Sequence, residues 1–323
     1  MNRITFYDVL KGFAIWVVAF EHSFIALDPN ACGSYLSNAI QLVQMPLFIA
    51  ISGFFFYPSI RKHSFKENLQ RKFWHLYIPS LSWGIIGACL MLVYKLINSK
   101  DIEVGYFIYL IFTGMWFLTA LFFLSVIGIF LYRFVRNHFF LAWAFVYSIL
   151  YFTSPLWMVN EVKFLLPFFV AGIFFSKYDW KHVPLWLFSL SSILFMITIY
   201  VYDWSFTLYT MNENSILTWT YFYKTLVRVI GGTSGIICIR YVCKYIGKIR
   251  YLNSFLMYLG GVTLPIYVLH QNFIDILKFF KYETKNIAII FIVSVIIIEL
   301  SIFLYKMMKC RLFKVCLFGE VIR

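Results

Sequence analysis

Ten long apolar stretches run through the 323 residues, at 9–27, 37–57, 74–96, 116–134, 139–153, 162–176, 184–202, 219–239, 257–277 and 286–307. A helix needs about 20 apolar residues to cross the roughly 30 Å hydrocarbon core of a bilayer. Most of these stretches reach that length; 139–153 and 162–176 are the short ones. With 62% hydrophobic residues against 13% charged, the chain could not bury its apolar surface as a soluble globule. The expectation is an all-α, polytopic integral membrane protein with about ten transmembrane helices. Spans and short connections use nearly the whole length, so 1–323 reads as a single transmembrane domain without a separate soluble one. Any chemistry then has to be built inside the bundle. The first stretch does not read as a signal peptide, because Glu21 and His22 interrupt its apolar run.

Lysines and arginines gather in alternate connections. Arg3 precedes the first span, Arg61, Lys62, Lys66, Arg71 and Lys72 follow the second, and Arg133 and Arg136 the fourth. Lys177 and Lys181 follow the sixth, Arg240, Lys244, Lys248 and Arg250 the eighth, and Lys306, Lys309, Arg311, Lys314 and Arg323 close the chain. Lys278, Lys281 and Lys285 run against this alternation without reversing it. The bias places both termini in the cytoplasm and the connections 28–36 and 203–218 outside. The net charge of +14 is then mostly a topology signal, with attraction to anionic membrane lipid and anionic cytosolic ligands. Basic residues dispersed over separate segments do not form a nucleic-acid surface. Of the six cysteines only Cys32 falls in an outward connection, so no outer disulfide is available within the chain, and the spacings match no zinc site. No metal is expected.

The first span carries Lys11 and His22, eleven residues apart. At about 100° per residue the two side chains return to nearly one face, roughly 16 Å apart along the axis. If the helix enters the membrane near Lys11, His22 sits close to the middle of the bilayer, where ionisable groups are kept mainly to line a pathway or a reaction site.

Several segments taken together resemble one family: Tyr7 to Gly12 with His22, Gln44-Met45-Pro46-Leu47-Phe48 leading into Ile51-Ser52-Gly53-Phe54, Arg71-Lys72 with Pro79, Met115-Trp116 to Leu121, and Thr263-Leu264-Pro265 to His270. In this order they are similar to the membrane-embedded acyltransferase 3 family, from residue 5 to about 300. The resemblance implies ten membrane helices and an acyl-CoA donor, acetyl-CoA or another short acyl-CoA, entering from the cytoplasm. It also implies sugar acceptors on bacterial surface glycans or lipid-linked precursors, and a bacterial inner-membrane location. The family's catalytic histidine ends an Arg-x10-His motif, which falls on His22, with Lys11 replacing the commoner arginine. Lysine supplies the charge but not the two-pronged geometry of a guanidinium.

Moving an acyl group from a thioester to a hydroxyl needs a base, charge stabilisation and positioning of both partners. His22 is the candidate base, and Glu21 beside it either assists catalysis or pairs structurally with a cation. Asp8, one turn before Lys11, reads as that lysine's ion-pair partner. Lys11, Arg71 and Lys72 are candidates for the CoA phosphates; positive-inside topology also accounts for cations in these places. Trp116, Arg228 and His270 are candidates for the acceptor, read otherwise as an interfacial aromatic, a structural ion-pair partner and an interfacial histidine. Ser52 and the run Gly231 to Gly235 read as helix-packing positions, since the glycine run lacks the strand-to-helix context and lysine of a P-loop. The rival reading is a transporter or channel for an anionic solute, which would use the same charges to line a pathway. It would favour broken helices paired between the two halves, and no such pairing is visible.

Overall fold

The computed structural model describes residues 3–98, 101, 103–153, 158–177, 183–203, 219–280, 282–308 and 310–320. These are α-helical with short connections, and no strand occurs among them. In chain order the helices are α1 (Arg3–Leu27), α2 (Tyr35–Lys62), α3 (Phe65–Lys72), α4 (Ile78–Ile97), α5 (Val104–Thr113), α6 (Trp116–Phe134) and α7 (Phe139–Phe152). They continue as α8 (Val159–Lys177), α9 (Leu185–Val201), α10 (Trp219–Ile246), α11 (Arg250–Gly261), α12 (Thr263–Phe279), α13 (Ile287–Met307) and α14 (Arg311–Phe318). By length and composition seven described helical segments can cross a membrane, or eight if the bent pair α11–α12 is one span. The chain is a polytopic α-helical membrane protein.

Two compact units emerge, residues 1–55 with 167–307 and residues 56–166 with 308–323. In the first unit α1 is the central helix, packed by α10, α11, α12 and α13. The α1–α11 seam is made by two glycines. A Cβ on Gly12 would collide with the Leu256 carbonyl, and one on Gly260 with the Asp8 carbonyl. Small residues of this kind let membrane helices meet backbone to backbone, where packing rather than water expulsion holds them. The same device joins Gly53 of α2 to the Phe169 carbonyl and Gly172 of α8 to the Ala50 carbonyl.

Sequence expectation and structure part at the stretch 257–277. It does not form one straight span: α11 and α12 meet at an 83° bend around Val262. Pro265 explains the break, since it has no N–H and its ring excludes a regular helical carbonyl four residues earlier, at Gly261. A second difference lies between the expected third and fourth spans, read as a connection. It holds α5, an apolar helix of 10 residues whose Ile111 carbonyl is approached by Gly84.

In the second unit, α3 begins with a capping box. Ser64 Oγ accepts from the Glu67 N–H at 3.3 Å, and Glu67 Oε2 accepts from the Ser64 N–H at 2.8 Å. Between α3 and α4 the backbone widens into a π-helical turn over Phe73–Tyr77. Pro79, at the start of α4, cannot donate to the His75 carbonyl in a regular helix. The short α14 packs on α4, with Trp83 Nε1 donating to the Leu317 carbonyl at 2.9 Å and His75 Nδ1 to the Gly319 carbonyl at 2.5 Å. Gly319 adopts φ 63°, the left-handed value that ends α14.

Candidate active site

The first unit collects a set of polar side chains around the second half of α1. Because α1 begins at Arg3, eight residues before Lys11, His22 lies only five residues from its far end at Leu27. This is about 7.5 Å by helix rise. The expectation of a mid-bilayer depth assumed entry near Lys11; the longer helix moves the imidazole toward the end opposite Lys11. The His22 side chain is 40% exposed, while Glu21 is 3% exposed.

Glu21 approaches His22 on one side and α2 on the other. Its Oε2 lies 4.0 Å from His22 Nδ1, and its Oε1 accepts from Gln41 Nε2 at 3.2 Å. Gln41 also donates to Ser37 Oγ at 3.1 Å, and its Oε1 accepts from the Tyr202 hydroxyl at 3.4 Å. Asn38 Nδ2 fixes the Tyr202 backbone, donating to its carbonyl at 2.7 Å. Arg228, buried at 7% exposure on α10, lies within electrostatic reach of Tyr202. A chain of polar groups thus leads from Arg228 past Tyr202 and Gln41 to the Glu21 carboxylate and His22. On the other side of His22 stands His270 of α12, with ring centroids 5.2 Å apart. His270 is 3% exposed and its Nδ1 lies against the carbonyls of Ile266 and Tyr267.

In chemical terms this is an imidazole backed by a buried carboxylate and accessible from one side. The Glu21 carboxyl group, 4.0 Å from Nδ1, faces the ring nitrogen on the side where a carboxyl can orient an imidazole. Gln41 and Tyr202 were not singled out from the sequence. The available signal was the helical spacing of Ser37, Gln41 and Gln44 along one face of the first turns of α2.

Residues 4–306, nearly the whole chain, match the family model described as an acyltransferase domain. The chain belongs to the acyltransferase 3 family. No curated protein and no solved structure matches it. Membership makes it a membrane acyltransferase, and the remaining sequence candidates can be placed within an acyltransferase 3 protein. Lys11 pairs with Asp8 at 2.6 Å and lies over the Phe55 ring, in the first unit. Arg71 and Lys72 belong to the second unit. Arg71 is exposed and lies 3.1 Å from His63 Nε2, while Lys72 lies over the Phe56 ring. Trp116 opens α6, also in the second unit, half-buried against Phe117.

The structure brings His22, Glu21, Arg228 and His270 together in one unit. Ser52 Oγ donates to the Phe48 carbonyl at 2.9 Å, the back-bond of a helix-packing serine. Gly231, Gly232 and Gly235 meet Leu42, Val43, Phe168, Phe195 and Thr198, as packing positions do. Among the described residues no group of three His, Cys, Asp or Glu could hold a metal ion.

Proposed function

We propose that this acyltransferase moves an acyl group, acetyl or another short chain, from cytoplasmic acyl-CoA to a hydroxyl of a surface glycan or a lipid-linked sugar precursor, in the bacterial inner membrane. The family match spans both units, and 1–323 is read as one transmembrane acyltransferase domain. The observation that carries the reading is the partly accessible His22 imidazole backed by the buried Glu21 carboxylate. His22 takes the proton of the acceptor hydroxyl as its oxygen bonds to the thioester carbon. The carbon–sulfur bond then breaks, and the proton passes to the CoA thiolate, giving ester and free thiol. Glu21 favours the protonated ring during that transfer, and Gln41, anchored by Ser37 and Tyr202, holds Glu21 in place. Lys11, at the cytoplasmic end of α1, meets a phosphate of CoA. Arg71 and Lys72 are separate candidates for the same anion, and Trp116 and Arg228 for the acceptor.

The test is His22→Ala in purified protein, followed by free-thiol release from acetyl-CoA and by transfer of labelled acetyl to glycoside acceptors. Loss of a general base lowers the rate by about 10²–10⁴-fold. Equal rates in the two proteins, at equal folded amounts, would remove His22 from the mechanism. A transporter would release no thiol in either form.

A further inference from the structure

The role given to His22 leaves the second imidazole of the site without a task. His270 Nδ1 lies 2.7 Å from the Tyr267 carbonyl and 3.0 Å from the Ile266 carbonyl. A carbonyl oxygen only accepts, so Nδ1 carries the hydrogen. A second hydrogen on Nε2 would make a cation of a ring that is 3% exposed, with no group among the described residues to receive that hydrogen. Burial without a partner makes this the most costly arrangement. Nε2 therefore presents a lone pair, buried and without a hydrogen-bond partner among the described residues. The two imidazole centroids are 5.2 Å apart, yet no hydrogen bond joins His22 to that nitrogen.

A buried lone pair beside a reacting centre calls for a hydrogen-bond donor. The thioester and a short acyl chain carry no N–H or O–H, and the first N–H of the CoA arm lies two methylenes beyond the sulfur, on the leaving-group side of the acyl carbon. The acceptor substrate does carry O–H groups. One hydroxyl has a single hydrogen, and the hydroxyl being acylated gives its hydrogen to His22. The lone pair of His270 needs another.

We propose that His270 Nε2 accepts a hydrogen bond from the hydroxyl adjacent to the one being acylated, so that the paired imidazoles select acceptors with hydroxyls on neighbouring carbons. This deepens the acyltransferase reading and rests on His22 as its base. Two O–H···N bonds of about 2.8 Å, one to each ring, bring their oxygens close together, as adjacent hydroxyls of a sugar ring are. His270 touches the acceptor and not the donor.

Two measurements test this. In the first, purified protein is given acetyl-CoA and methyl glycosides of glucose, galactose, mannose and N-acetylglucosamine. The best acceptor is then compared with its derivative lacking the hydroxyl next to the acylated one. Wild type should show an acceptor KM raised about tenfold by that deletion, the discrimination typical of a site built to bond a hydroxyl. In His270→Ala the acceptor KM is raised already and the deletion changes it less than about twofold, while the acyl-CoA KM stays at the wild-type value. His270→Gln, which restores an acceptor atom, should regain part of the discrimination. An equal deletion penalty in wild type and His270→Ala overturns the proposal.

The second measurement needs no acceptor. Nitrogen-15 NMR of histidine-labelled protein in lipid nanodiscs should show one neutral imidazole protonated at Nδ1, absent from His270→Gln. A hydrogen on Nε2 overturns the proposal even if no glycoside is acylated. Failure of the underlying function looks different: His22→Ala would retain full turnover while the His270 tautomer stood as described.

Discussion

Glu21→Gln removes the ionisable carboxyl group from the site while keeping its shape. The glutamine carbonyl can still accept from Gln41 Nε2, now 3.2 Å from Glu21 Oε1, so the packing of a residue only 3% exposed is largely preserved. What disappears is the attraction between the carboxylate and the imidazolium that forms when His22 takes the acceptor proton. Two unit charges 4.0 Å apart interact by about 4 kcal/mol at an effective dielectric of 20. His22 is 40% exposed, and solvent screening of such a pair lowers the figure to about 2–3 kcal/mol. Taken from the transition state, that is a fall in kcat of roughly 30- to 150-fold, with the acyl-CoA KM little changed. Thiol release from acetyl-CoA in the presence of a glycoside acceptor, with purified variant in nanodiscs, gives both constants. Glu21→Asp, with charge but shorter reach, should fall between wild type and Glu21→Gln. A Glu21→Gln protein with wild-type kcat would refute the electrostatic argument and return Glu21 to a purely structural role.

Three further outcomes follow from the geometry. Lys11→Ala should raise the acyl-CoA KM about tenfold, at the low end of a charged contact because Asp8 already shares the ammonium, while Lys11→Arg keeps it; a change confined to the acceptor KM would refute the donor assignment. Gly12→Val forces a side chain against the Leu256 carbonyl and should cost about 1–3 kcal/mol of stability, seen as a lower melting temperature in detergent. Gly87→Ala, where a Cβ meets nothing within 4 Å, should leave the melting temperature unlowered, and equal melting of the two variants would refute the seam. Single-cysteine variants at Asn30 and Ser64 should label with an impermeant reagent in spheroplasts at Asn30 only; labelling at Ser64 alone inverts the topology and detaches Lys11 from the cytosolic donor.

The sequence shows the helices more plainly than their joints. Each of the ten apolar stretches falls on helix, because twenty or so apolar residues in lipid have few other ways to satisfy their backbone. The 83° bend at Val262 was hidden because hydropathy averages over Gly260, Gly261 and Pro265, although these residues announce a break. The helix Val104–Thr113 was missed because 10 residues are too few to register as a span. At the candidate site, His22 and Lys11 stand out as ionisable residues in an apolar run. Gln41 and Tyr202 do not, since their role depends on α2 and the end of α9 being brought beside α1. The 203–218 connection lies largely outside the described residues, including the Asn212 position expected to face outward.

The glycine seam bears on how the two ionisable stations of α1 are held relative to each other. Any shift of α1 along α11 would replace Gly12 with Lys11 or Phe13 against the Leu256 carbonyl, and would move Gly260 off the Asp8 carbonyl that only a missing side chain can admit. The central helix is therefore held in register against its closest neighbour, α11. On the proposed acyl-CoA reading, the donor would reach along it from Lys11 to His22. With a cation at one station and an imidazole roughly 16 Å further on, a single molecule serving both must be long and pliable, charged at one end and reactive at the other.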